Sequence, residues 1–149
     1  MSWAPMLTVG SLGQNTEEQT FPRLVSCGCD NLVKIWTLKN DIWGAEPEAT
    51  LPNHNAWVRD VAWAPSIGLS SSMIASCSQD GDVIIWTQDQ EAAGAEWVAK
   101  ILHTFQDTVW RVSWSITGNI LAATTADNKV TLWKESLDGE WKLVKELQS

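Results

Sequence analysis

The sequence predicts an all-β protein built from three repeats of short antiparallel strands, and three observations carry that prediction. First, the stretch Ile74-Ala75-Ser76-Cys77-Ser78-Gln79-Asp80-Gly81-Asp82-Val83-Ile84-Ile85-Trp86 has two echoes. They are Leu24-Val25-Ser26-Cys27-Gly28-Cys29-Asp30-Asn31-Leu32-Val33-Lys34-Ile35-Trp36 and Leu121-Ala122-Ala123-Thr124-Thr125-Ala126-Asp127-Asn128-Lys129-Val130-Thr131-Leu132-Trp133. Second, every copy sets Asp six residues ahead of Trp, and the three Trp stand 50 (86 minus 36) and 47 (133 minus 86) residues apart. A period in that range marks a repeat architecture. Third, segments rich in Val, Ile, Thr and Trp alternate with Asp-Asn, Asp-Gly and Gly-containing turns, and nothing suggests a long helix.

Taken in order, Trp3-Ala4-Pro5 matches Trp63-Ala64-Pro65, so the chain opens inside a strand, with Met1 where Val61 and Val112 stand in the later repeats. Residues 6–22 carry Gly10, Ser11, Gly13, Asn15, Glu17 and Glu18, the composition of a long surface loop. Strands are expected at 24–28, 32–37, 48–51, 57–63, 73–78, 82–87, 97–102, 109–114, 119–125, 129–134 and 141–146. Asp30-Asn31, Asp80-Gly81 and Asp127-Asn128 are tight turns, because these residues tolerate the positive φ of two-residue hairpins. The repeats divide the chain into 1–51, 52–104 and 105–149. In the strands ending in the repeated Trp, one face is always two aliphatics: Val33 and Ile35, Val83 and Ile85, Val130 and Leu132. The other face mixes Trp with Lys34, Ile84 or Thr131. Such strands need packing on both sides, which sheets stacked face to face supply.

Composition bounds the function. Apolar residues make up 44% and charged residues 19% of 149, the balance of a globular chain. Eleven of the thirteen aromatics are Trp, so Trp is demanded at least once per repeat. A net charge of -8 with scattered Lys and Arg argues against direct nucleic-acid binding. No apolar run approaches a membrane span and no signal-peptide core opens the sequence, so a soluble, intracellular protein is expected. Three Cys and two His offer no converging metal set. Cys27, Cys29 and Cys77 are expected to be buried, reduced thiols. No cofactor is expected.

These residues resemble the WD40 family, whose repeats are four-stranded blades of a β-propeller. The resemblance implies an open arc of about three antiparallel blades, the first lacking most of its inner strand. It also implies a hydrogen-bonded tetrad of His, Ser or Thr, Asp and Trp in each blade. The second repeat supplies His54, Ser76, Asp80 and Trp86; the first supplies Ser26, Asp30 and Trp36; the third keeps only Asp127 and Trp133, with Phe105 and Ala123 in the His and Ser positions. The third blade is therefore expected to rely more on packing. A hydrolytic triad of His54, Ser76 and Asp80 is the functional alternative, and the family pattern, which puts this Ser on a buried strand, opposes it.

Longer runs, from His54 to Gly68, Val109 to Asn119 and Asn128 to Glu135, resemble the Sec-thirteen family. That likeness implies a non-enzymatic scaffold of the COPII vesicle coat, acting in transport from endoplasmic reticulum to Golgi, and of the nuclear pore complex. It implies α-solenoid partners, a Sec-thirty-one-type coat protein or a pore nucleoporin, which donate a blade in trans. The implied location is the cytoplasmic side of the endoplasmic reticulum membrane and its vesicles, and the nuclear envelope, with membrane contact only through the coat. Trp97, Trp110 and Trp141 are candidate partner-facing residues, alongside the wall of the last blade. A peptide-recognition propeller and a Seh-type pore subunit are the alternative readings. A bare arc of three blades exposes apolar end faces, so poor solubility of the isolated chain is expected.

Overall fold

The computed structural model describes residues 1–5, 21–44, 46–65, 71–89 and 94–148. Most of the loop expected at 6–22 lies outside the described residues. Among them are thirteen strands in three antiparallel sheets, and no helix. Sheet 1 contains β1 (Ser2–Trp3), β2 (Arg23–Cys27) and β3 (Val33–Lys39), and successive parts of β3 pair with β5 (Ala49–Leu51) and β4 (Ile42–Trp43). Sheet 2 runs β6 (Val58–Trp63), β7 (Ser71–Ser78), β8 (Asp82–Asp89) and β9 (Val98–Thr104). Sheet 3 runs β10 (Val109–Trp114), β11 (Ile120–Thr125), β12 (Lys129–Glu135) and β13 (Trp141–Gln148). Sheets 2 and 3 are simple up-and-down meanders, whereas in sheet 1 β3 pairs with both β4 and β5.

Local chemistry explains the turns. Asn31, Gly81 and Asn128 have φ of 64°, 89° and 61°, the left-handed conformation that Asn and Gly adopt most readily. Gly81 is further constrained: a Cβ there would meet the Phe105 carbonyl oxygen at 2.2 Å. Sequence patterning missed the β3–β4 hairpin, where Asn40 and Asp41 have φ of 52° and 61°. Two positive φ values in a two-residue connection are the signature of a type I′ turn. A two-residue strand is too short to show a period.

The sheets stack in chain order, and alternation lets β7 and β8 of sheet 2 serve two cores. Val25, Val33 and Ile35 of sheet 1, with Leu51, pack on Val58, Val61, Trp63, Ile74, Ile84 and Trp86 of sheet 2. The opposite face of sheet 2, Ala75, Cys77, Val83 and Ile85, packs on Val109, Val112, Leu121 and Ala123 of sheet 3. Burying each large aliphatic contributes about 1.5–3 kcal/mol, an upper estimate because the unfolded chain is already partly compact. Polar joints fix the stagger. The Val58 amide donates to Gly28 O at 3.1 Å, the Val112 amide to the Asp60 carboxylate at 3.2 Å, and the Trp114 indole to Ala62 O at 3.0 Å. Among the described residues the result is an open stack in which only sheet 2 is covered on both faces.

The cysteines correct one expectation. All three are free thiols, but only Cys77 is fully buried; Cys27 is half-buried and Cys29 exposed. Burial pushes the Cys27 and Cys77 thiols above the ordinary range. Cys29 lies just past the end of β2, beyond the alternation that buries its neighbours.

Candidate functional site

In sheet 2 the four positions singled out by the repeat converge. His54 Nε2 lies 2.7 Å from Ser76 Oγ, His54 Nδ1 lies 3.4 Å from Asp80 Oδ2, and the Trp86 indole donates to Ser76 Oγ at 2.9 Å. The consistent proton arrangement has Nδ1–H facing the carboxylate and the Ser76 hydroxyl donating to Nε2 while accepting from Trp86. Asp80 also accepts the backbone amides of Asn55 at 2.8 Å and Asp82 at 2.9 Å. Burial lowers the His54 pKa, and nearby Asp80 only partly opposes it. Burial by itself would raise the Asp80 pKa, but the Asp82 and Asn55 amides, His54 and Ser78 hold it below the ordinary value. The side chains of His54, Ser76 and Trp86 are sealed in the joint with sheet 1. Ser76 has no exposed surface and its hydroxyl is engaged on both sides, so the arrangement ties the segment entering β6 to β7 and β8 of its own sheet and presents no nucleophile to a substrate.

Sheet 1 keeps the equivalent Ser under its indole, and sheet 3 replaces it. The Trp36 indole donates to Ser26 Oγ at 2.8 Å, and Asp30 turns to Lys34 at 2.5 Å, whose ammonium holds the Asp30 carboxyl low. In sheet 3, Trp133 donates at 3.0 Å to Thr131 Oγ1, which in turn donates to Ala123 O at 3.4 Å. Thr131 thus replaces the hydroxyl that Ala123 lacks, a role that counting repeat positions overlooked. Asp127 accepts from Thr125 and pairs with Lys129 at 2.9 Å; these two partners hold its carboxyl low. Around Trp133, His103 and Phe105 form an aromatic cluster, with centroids 5.1 Å and 6.5 Å from the indole.

Six of the remaining eight Trp fall into a second repeated pattern. Trp97 packs edge-on to Trp63 at 5.7 Å, Trp141 to Trp114 at 5.7 Å, and Trp43 is tilted against Trp3 at 5.8 Å. Trp97 and Trp141 therefore each pack on the Trp that ends the inner strand of their own sheet, and both are partly buried. Trp110 is 47% exposed. It occupies a β-bulge of β10, as Arg59 does in β6, and the Arg59 guanidinium lies over the Trp110 ring at 4.7 Å and over Trp57 at 5.1 Å.

The end faces differ from the joints in exposure. Val33 and Ile35 of sheet 1, and Val83 and Ile85 of sheet 2, are fully covered by the next sheet. Their counterparts Val130 and Leu132 are only half-buried. Cross-strand partners share a face, so Ala122, Thr124, Leu147 and Lys145 lie beside them, with Arg111 and Lys134 farther out. Among the described residues no group of three or more His, Cys, Asp or Glu is placed to hold a metal ion.

Stacked antiparallel sheets, each carrying a Trp–hydroxyl bond at the same place in the repeat, define the class of protein. The WD40 family, described as WD domain, G-beta repeat, matches residues 45–87 and 99–134, more than half of the chain, and the chain belongs to that family. Within it the sequence is similar to the protein SEC13 homolog of Bos taurus, 53% identical over 150 residues, which cover 99% of this chain and 46% of the relative. It is 59% identical to the protein SEC13 homolog of Drosophila melanogaster over 119 residues, 80% of this chain and 32% of the relative. It is 55% identical to the protein transport protein SEC13 homolog B of Arabidopsis thaliana over 122 residues, 82% of this chain and 40% of the relative. The chain spans less than half the length of these curated relatives.

Proposed function

We propose that the chain is part of a non-enzymatic scaffold subunit of protein transport, whose third sheet receives a blade from an α-solenoid partner. The partner is a Sec-thirty-one-type protein in the COPII coat on the cytoplasmic side of the endoplasmic reticulum membrane, or a scaffold nucleoporin at the nuclear pore. One observation carries this reading: Val130 and Leu132 form the same aliphatic pair that is fully covered by the next sheet in both other repeats, yet here it is half-open. A sheet face built to be covered stays uncovered, and a fourth sheet laid on it would repeat a joint the chain already makes twice. Arg111, Lys134, Lys142 and Lys145 rim that face, favouring a partner edge that carries carboxylates. Similarity to relatives named for protein transport supports the same reading.

Co-expression with a candidate solenoid partner, followed by affinity capture, tests it. Capture by the native chain, lost in the Val130→Asp, Leu132→Arg double variant while the β spectrum is retained, is the expected result. Undiminished capture by that variant, or none by the native chain, overturns it.

A further inference from the structure

At the joint between sheets 2 and 3 a cavity of about 510 Å3 opens to solvent. Its location follows from the difference between repeats. In sheet 2 His54 fills the space between Ser76, Asp80 and Trp86, leaving the Asp80 side chain 11% exposed and that of His54 with no exposed surface. Three of the four equivalent positions in sheet 3, Phe105, Asp127 and Trp133, line the cavity instead, and the Asp127 side chain is 33% exposed.

We propose that this cavity is a binding site for a basic side chain, the guanidinium of Arg or the ammonium of Lys, presented by a peptide segment of a partner protein. What sheet 3 lacks is a His at the position of His54: the imidazole of His103, from β9, also lines the cavity but packs on the Trp133 and Phe105 rings, with no hydrogen bond to Asp127 among the described residues. The carboxylate and the indole remain. A guanidinium or ammonium restores the missing donor, and the indole and phenyl walls favour a cation. Thr125 and Thr131 bring hydroxyl oxygens to the same lining.

The charge around the cavity selects the sign of the ligand. Asp107, Asp127 and Glu146 line it with one lysine, Lys129, so three carboxylates face one ammonium and two negative charges stay uncompensated. Lys129 Nζ bridges Asp127 at 2.9 Å and Glu146 at 3.8 Å: the site already holds an ammonium drawn from its own sheet. That lysine is 37% exposed on its side chain, so it can yield its place to an incoming cation at little cost. An anionic ligand would meet both this local excess and the net charge of -8.

The test is amide and indole NMR of the isotope-labelled chain, titrated with acetyl-Gly-Gly-Arg-Gly-Gly-amide, its Lys counterpart and a neutral Gln control. Shifts centred on Thr125, Asp127, Thr131 and the Trp133 indole are expected with the Arg or Lys peptide and absent with Gln. Asp127→Asn weakens binding roughly tenfold, the loss of one charge-assisted contact. The Phe105→His, Ala123→Ser double variant rebuilds in sheet 3 the network of sheet 2, closes the cavity and abolishes the response. Asp138→Asn, in the turn before β13, leaves it within about twofold. Equal response to the Gln peptide, shifts spread evenly over the acidic loops, or unchanged affinity in both cavity variants would overturn the proposal.

Discussion

Sheets 2 and 3 share the spacing of Asp and Trp yet bury the indole by different means. In sheet 2 the Trp86 N–H ends a chain of hydrogen bonds that runs through Ser76 and His54 to Asp80. In sheet 3 the Trp133 N–H is satisfied by Thr131, two residues back on its own strand, and the space beside it is walled by His103 and Phe105. Polar and apolar residues have traded places. Leu51, opposite Val33 in sheet 1, packs into the first joint, whereas His103 holds the matching place opposite Val83 at the second. What every repeat keeps is a hydroxyl under the indole, at 2.8, 2.9 and 3.0 Å. An unpaired buried N–H costs about 1–3 kcal/mol, which explains why the acceptor is always replaced and never simply lost.

That contrast can be attacked directly. Ser76→Ala imports the Ala123 pattern into sheet 2, where Ile84 stands in place of Thr131 and offers no substitute acceptor. Two buried groups lose their partner, and urea denaturation should show a loss of about 2–4 kcal/mol; a loss below about 1 kcal/mol would mean the network contributes little. Gly81→Ala forces a Cβ against the Phe105 carbonyl at a positive φ, with an expected cost of about 2–3 kcal/mol by the same measurement. Thr131→Val removes the acceptor in sheet 3 alone and should cost about 1–2 kcal/mol; no change would show that the aromatic cluster suffices there.

The smallest effect is the dependence on pH. Burial lowers the His54 pKa in the folded state, so the unfolded chain binds the proton more readily. Stability is then full above the ordinary His range and falls as pH drops through it toward the lower folded value. Melting temperature followed from pH 8 to pH 5 should decline, and His54→Phe, which makes sheet 2 resemble sheet 3, should flatten that decline. A slope unchanged in the variant would place the titrating group elsewhere.

Much of this was legible in the sequence. Alternating Val and Ile between Asp-Asn and Asp-Gly turns located the strands of the three sheets, because period-two burial and positive-φ turns are both local properties. The convergence of His54, Ser76, Asp80 and Trp86 followed from the WD40 resemblance rather than from spacing. Repeat position does not reveal Thr131, since the matching position holds Ala123; its signal is its place two residues before Trp133, on the same face of one strand. The Trp–Trp pairs had a signal too, a Trp at the end of the inner strand and another near the fourth strand in every repeat. Nothing local announced that His103 would lie over Trp133, since that contact crosses from one sheet to the next.

The alternation within each sheet also gives the stack a polarity. Every sheet has one side that carries the indole and its hydroxyl and one side that carries the aliphatic pair, and both joints press the indole side of the later sheet onto the aliphatic side of the earlier one. Like interlocking bricks with studs above and sockets below, the units fit in only one sense. A sheet joining beyond sheet 3 must offer an indole-type face to Val130 and Leu132, and one joining ahead of sheet 1 must offer an aliphatic face to Trp36. Extension by a sheet turned the other way round would set aliphatic against aliphatic and leave the indole side of the added sheet uncovered.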